Sequence, residues 1–172
     1  MTDRTATLRQ ITDAIAAVRD MSDTDREKLY SRARTMRDRN LICTESPRAQ
    51  GKEIQYSGAD IAAAVVAITV SLNGGSQGKI AAINRDLRMF GDNQSGLHST
   101  PAYEDNLDAI LAGDPPIFIR YDVIALPWAH TRTQMGALNT LGLPDWSATT
   151  ETTLIPVTAL VNPVFAAIFG QD

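Results

Sequence analysis

The 172-residue sequence predicts an α+β chain that is mostly helical up to residue 90 and mixed beyond it. Three observations carry that prediction. Apolar residues recur at three- and four-residue spacing through the first 90 positions, beginning with Leu8, Ile11, Ile15 and Val18. Oxygen-bearing side chains stand where helices have to start, at Thr7, Thr24, Ser57 and Ser76. Past a stretch of glycine, asparagine and serine at 91–99 the pattern changes, and 117–126 becomes a run of β-branched and aromatic residues.

Each element follows from local signals. The first helix opens at Thr5 or Thr7 and stops near Met21. Thr24, with Glu27 three residues on, has the spacing of a capping box, so a second helix should start there. Its apolar stripe is Leu29, Ala33 and Met36, and at 100° per residue Arg26, Tyr30, Arg34 and Arg37 fall on an adjoining face. Asn40 tolerates the left-handed conformation that closes a helix, and Leu41 and Ile42 return to the core. Pro47 and Gly51 break the chain at 43–51, and residues 52–56 alternate polar and apolar like a short half-buried strand. Ser57 and Asp60 form the next cap, and 62–72 is apolar most of the way round, so that helix is expected to be buried. Asn73-Gly74-Gly75 ends it, Ser76 caps a fourth helix, and Ile80, Ile83, Leu87 and Phe90 give that helix its apolar edge.

These signals predict a first domain over 1–90, a linker over 91–102 and a small α+β domain over 103–172. In the last segment, 105–111 reads as a short helix broken by Pro115 and Pro116. The strand at 117–126 shows Ile117, Ile119, Tyr121, Val123 and Ala125 on one face. No strong period runs through 127–150, although 135–141 reads as a turn or two of helix. A second strand is expected over 152–158, held to an edge or bulge by Pro156, and Asn162 with Pro163 is expected to open a final helix to Phe169.

Composition excludes several functions. A single cysteine, Cys43, rules out an internal disulfide, and the longest apolar stretch, 61–70, is too short to span a bilayer. The N-terminus lacks the apolar run of a signal peptide, so a cytoplasmic location is expected. His98 and His130 have no second histidine or cysteine at ligand spacing, and no glycine-rich phosphate loop occurs. Glu104, Asp105 and Asp108 have a spacing that fits a metal but equally fits a solvated helix face, the commoner case. Trp128, Trp146, Tyr103 and Tyr121 are expected to pack in a core or an interface. With no catalytic constellation, neither an enzyme nor a cofactor is expected.

Charge points elsewhere. The net charge is -4, which by itself disfavours nucleic acid, because duplex affinity comes largely from cations that displace counterions from phosphate. The average conceals a polarity. Arg26, Lys28, Arg32, Arg34, Arg37, Arg39, Arg48 and Lys52 face only Glu27, Asp38 and Glu45 over 26–52, a local charge of +5, whereas 91–172 carries -7. Such a division suits a phosphate-binding segment joined to an assembly or sensing segment.

Two blocks now resemble the MerR-type winged helix-turn-helix family. Ala33 through Ile42 resembles its Leu-Arg-Tyr-Tyr-Glu-Arg-x-Gly-Leu-Leu stretch, with Asn40 at the glycine, and Tyr56-Ser57-Gly58-Ala59-Asp60-Ile61 resembles the Tyr-Ser-x-x-Asp-Leu that leaves the wing. The resemblance covers roughly residues 8–90. It implies a winged helix-turn-helix, an Arg34 that contacts phosphate and a Tyr56 that anchors the wing. The sequence departs from the family at Ile54, where an arginine is usual, at Thr35-Met36, which replaces two aromatics, and in having no long heptad helix for dimerisation.

The expected double-stranded DNA contacts are therefore Arg26, Tyr30, Arg34 and Arg37 on the second helix, Arg48 and Lys52 on the wing, and Tyr56. Arginine clamps guanine or phosphate through its planar fork, and Tyr30 has one hydroxyl to donate to a backbone oxygen. Arg32 and Arg39 point elsewhere on the wheel, as solvent or dimer contacts. The function expected is a sequence-specific transcriptional regulator acting as a homodimer through the C-terminal domain, a dimer motivated by the strand at 117–126. The alternative is a phage or mobile-element protein, an excisionase or small terminase subunit, which would bend or load DNA.

Overall fold

The computed structural model describes residues 4–42, 53–89, 102–125 and 128–170. Among these, six helices and two small sheets make a mixed α+β fold. Helix α1 (Leu8–Val18) starts at Thr7, whose hydroxyl accepts from the Gln10 amide while the Gln10 side chain reaches back to the Thr7 amide. Helix α2 (Asp23–Asp38) is capped two residues before the predicted position. Ser22 accepts from the Asp25 amide, and Thr24 lies inside the first turn. Asn40 takes φ 58° as predicted, and Leu41 and Ile42 are buried after it.

Immediately before α1, β1 (Ala6–Thr7) pairs antiparallel with β2 (Gln55–Tyr56), Ala6 opposite Tyr56. The predicted strand near 52–56 thus takes its partner from the N-terminus, while Cys43 to Lys52, including Arg48, lie outside the described residues. Helix α3 (Gly58–Leu72) opens with the Ser57–Asp60 capping box, and 11 of its 15 residues are buried. Those residues include Ile61, Val65, Val66 and Ile68. An apolar side chain of this size contributes at most about 1.5–3 kcal/mol when fully removed from water. α3 is therefore the centre around which α1, α4, α5 and α6 pack. Gly74 turns the chain at φ 83°, and Gly75 is obligatory, because a Cβ there would stand 2.4 Å from the Val70 side chain and 2.7 Å from its carbonyl oxygen. Helix α4 (Gln77–Met89) is capped by the Ser76 hydroxyl, which accepts from the Lys79 amide, and it buries Ile80, Ile83 and Leu87.

After α5 (Ala102–Ala112) comes a three-stranded sheet with β3 (Ile117–Ile124) in the centre, flanked antiparallel by β4 (His130–Ala137) and β5 (Thr149–Ile155). Both edges of β3 are thus satisfied within the chain, so the predicted strand cannot itself pair with a second subunit. Strand β4 corrects the expectation of an unpatterned segment ending in helical turns at 135–141. Its helix-facing positions are Thr131, Thr133, Met135 and Ala137, too polar to show an apolar period, and what orders it is pairing with β3 together with the Thr133 hydroxyl donating to the buried Asp86 of α4 at 2.9 Å.

Helix α6 (Val157–Phe169) begins six residues earlier than predicted and carries Pro163 in its interior. Burial of Val157, Val161, Val164 and Phe165 outweighs the missing amide, and Pro163 and Ala159, whose carbonyl it cannot bond, both lie on the exposed side. The same shift ends the expected strand at Ile155. Asn162 is no cap; its amide donates to the Leu111 carbonyl at 3.4 Å. α6 packs against α1 and α3, and Lys79 of α4 donates to Glu151 (3.1 Å) and Thr153 (2.7 Å) of β5, so the N-terminal and C-terminal segments share one hydrophobic cluster. Among the described residues no helix is long and apolar enough to cross a membrane.

Candidate nucleic-acid interface

α2 is a helix that the fold uses sparingly. Of its 16 residues only Leu29, Ala33 and Met36 are buried, and it packs chiefly on α1. Asp23 and Asp25 in its first turn and Arg37 in its last complement the helix dipole, which accounts for part of the charge order along it. Arg26, Tyr30, Arg34 and Arg37 do lie together beside the apolar stripe. Arg34 and Arg9 approach the Tyr30 ring, their guanidinium carbons 6.0 and 4.7 Å from its centroid.

Sequence reasoning missed Arg9, a residue of α1. Its guanidinium donates to both carboxylate oxygens of Glu27, with a distance of 3.0 Å for the longer bond, and to Asp13 at 3.3 Å. Asp13 in turn accepts from Arg26 at 2.8 Å. The only sequence signal for this network was the i,i+4 spacing of Arg9 and Asp13; the pairing with Glu27 spans 18 residues and has no local trace.

The network fixes charges. The bond from Arg26 holds the Asp13 carboxyl below its ordinary range, and the bond from Arg9 does the same to Glu27; both guanidiniums are held more firmly protonated in return. A carboxylate whose folded pKa is depressed stabilises the fold above its ordinary range and ceases to do so as pH falls through it. Unfolding by urea is therefore expected to become easier between about pH 5 and about pH 3. The variant Asp13→Asn should show a shallower pH dependence over that window, and an identical slope would remove the network from the account.

Of the three arginines on this face, Arg34 is the one without an ion pair among the described residues. It is exposed, whereas Arg26 is paired to Asp13 and Arg37 to its neighbour Asp38 at 2.9 Å. Neither of those two partners comes from the acidic C-terminal half. Asp38 is 57% exposed at its side chain, and such a surface pair is worth at most ~1 kcal/mol in water, so exchanging it for a phosphate costs Arg37 little. Arg32 is anchored, donating to the Ser71 carbonyl at the end of α3 at 2.7 Å, and is not a bare solvent or dimer contact as expected. Arg39 is exposed.

The structure brings together the four α2 residues and no others from the predicted set. Tyr56 is wholly buried beside Ala6, so it positions β2 and touches no ligand. Arg48 and Lys52 lie outside the described residues. Glu104, Asp105 and Asp108 are exposed, and among the described residues no group of three acidic, histidine or cysteine side chains is placed to hold a metal. Tyr103 and Tyr121 are buried, the former with its hydroxyl pushed far up by burial, while Trp128 and Trp146 stand out in solvent. No protein-family model, curated protein or solved structure matches the chain.

Proposed function

We propose that the chain is a duplex-DNA-binding protein of transcription-regulator type, with α2 laid into the major groove and the segment after it acting as the wing of a MerR-like winged helix-turn-helix. The observation that carries this reading is the outward face of α2. Tyr30, Arg34 and Arg37 share a cationic face of a helix the core scarcely needs, and Arg34 has no acidic partner among the described residues. Guanidinium groups in that setting suit phosphate and the O6/N7 edge of guanine. The short antiparallel pairing of β1 with β2 supports the wing reading, since it fixes the place where the chain returns from 43–52 to α3.

The test is selection of bound sequences from a random duplex pool at two salt concentrations. A recurrent motif, with affinity that falls steeply as salt rises, is the expected result. A pool that stays random and a protein that leaves duplex DNA unshifted at low salt would refute the proposal.

A further inference from the structure

Strands β4 and β5 both run antiparallel to β3 on opposite sides of it, so they are parallel to each other. Residues 138–148 must therefore travel back across the face of β3 that the helices do not cover. Arg120 projects from that face and fixes the crossing. Its guanidinium donates to the carbonyls of Leu141 (2.5 Å) and Gly142 (2.9 Å) and to Gln134, and it pairs with Asp122. At the far end the Ala125 amide donates to the Ala148 carbonyl at 2.9 Å, which ties the strap to the β3–β4 hairpin.

Polar groups are consumed beneath this strap, and apolar ones stand above it. Leu143 is 88% exposed and Trp146 67%. Leu154, opposite Arg120 on the outer face of β5, and Trp128, at the hairpin end where Ala148 is tied down, are 49% and 80% exposed. Among the described residues, the large apolar side chain left comparably exposed on the helical side is Val18. Side chains of these sizes and exposures present on the order of 700 Å². That combined area approaches the ~800 Å² each partner commits to a stable interface.

Charge selects the occupant. Within 138–148 the single charged residue is Asp145, exposed, its carboxylate held by the Ser147 amide (3.0 Å) and hydroxyl (2.6 Å). On the outer face of β4 the exposed counterpart is Arg132. One charge of each sign around an apolar centre offers nothing to a polyanion or to a strongly charged peptide. It is self-complementary under a two-fold axis, where residue i meets j and j meets i.

We propose that this outer side of the sheet is where two copies of the chain associate, Leu143 and Trp146 at the centre and Asp145 reaching Arg132 of the partner subunit. The proposal does not rest on the DNA reading: α2 packs chiefly on α1 and not on the sheet, and stays free in such a dimer.

Sedimentation velocity of the full chain at micromolar concentration tests it. A dimer is expected, and Leu143→Glu with Trp146→Glu should convert it to a monomer with unchanged far-UV circular dichroism. Asp145→Arg and Arg132→Asp should each weaken association, and combining them should restore it, an outcome that misfolding cannot imitate. A wild-type monomer, a dimer indifferent to the glutamates, or a charge swap that restores nothing would overturn the proposal. The Arg34 and Arg37 variants, run in parallel, should remain dimeric whatever they do to DNA.

Discussion

Alanine at both Arg34 and Arg37 is expected to abolish the mobility shift of duplex DNA at low salt while leaving far-UV circular dichroism and the thermal midpoint unchanged. Neither side chain belongs to the Leu29, Ala33 and Met36 stripe that holds α2 on α1, and the ion pair Arg37 makes is with its sequence neighbour. The fold therefore loses little beyond the contacts of the Arg37 side chain, which is 24% exposed. The complex loses either two phosphate contacts, which would flatten the dependence of log K on log salt by about 2, or base-edge contacts worth ~1–3 kcal/mol each. The two cases separate in the same titration: the first weakens all duplexes alike, the second erases preference for the selected motif. Arg26→Ala is a poorer probe, because it strips Asp13 of its closer partner and disturbs the α1–α2 junction directly. An undiminished shift with the double variant would remove α2 from the interface.

What could be read in the sequence and what could not divides along the range of the interactions involved. Helices α1 to α4 were legible because their caps, Thr7, Ser57 and Ser76, and their stops, Asn40 and Asn73-Gly74, act within three or four residues. Strand β4 was not legible. Its register is set by β3, and its inward residues are threonines that satisfy their hydroxyls across the fold, as Thr133 does with Asp86. Pro163 misled for the opposite reason. A strong local preference for the first turn of a helix is overridden by burying Val157 and Val161, which precede Pro163 by six and two residues.

The candidate site divides in the same way. That Arg26, Tyr30, Arg34 and Arg37 share a face follows from 100° per residue alone. Which of them is committed does not, since Asp13 and Arg9 reach the face from α1, and Arg32 is drawn off by the end of α3. Tyr56 shows the limit of motif reading. A residue matched by resemblance to a binding block is 0% exposed and acts through the strand it anchors.

The largest loss of stability is expected from Asp122→Ala. Arg120 and Asp122 are 5% and 2% exposed, and Nε lies 2.9 Å from Oδ2 without being aimed at it, so the contact is an ion pair and not a further directed hydrogen bond. Asp122 also accepts from Thr152 at 2.8 Å, which joins the pair to the edge strand β5. Removing the carboxylate leaves a buried guanidinium whose remaining partners, two carbonyls and an amide oxygen, are neutral. Breaking one side of such a pair typically costs ~3–5 kcal/mol, far more than the pair itself contributes relative to apolar residues of the same volume. The urea midpoint should fall accordingly, and amide exchange should accelerate first at Leu141 to Ala148, the strap Arg120 holds. Arg120→Met combined with Asp122→Leu should recover part of the loss and not all of it, because the Leu141 and Gly142 carbonyls then lose their donor. The shortfall between the double variant and the wild type measures what the strap's two carbonyl bonds are worth together with the bonds to Gln134 and from Thr152. If Asp122→Ala alone is as stable as the wild type, the pair carries no structural role and the bonds from Arg120 to Leu141, Gly142 and Gln134 hold the crossing over β3 without it.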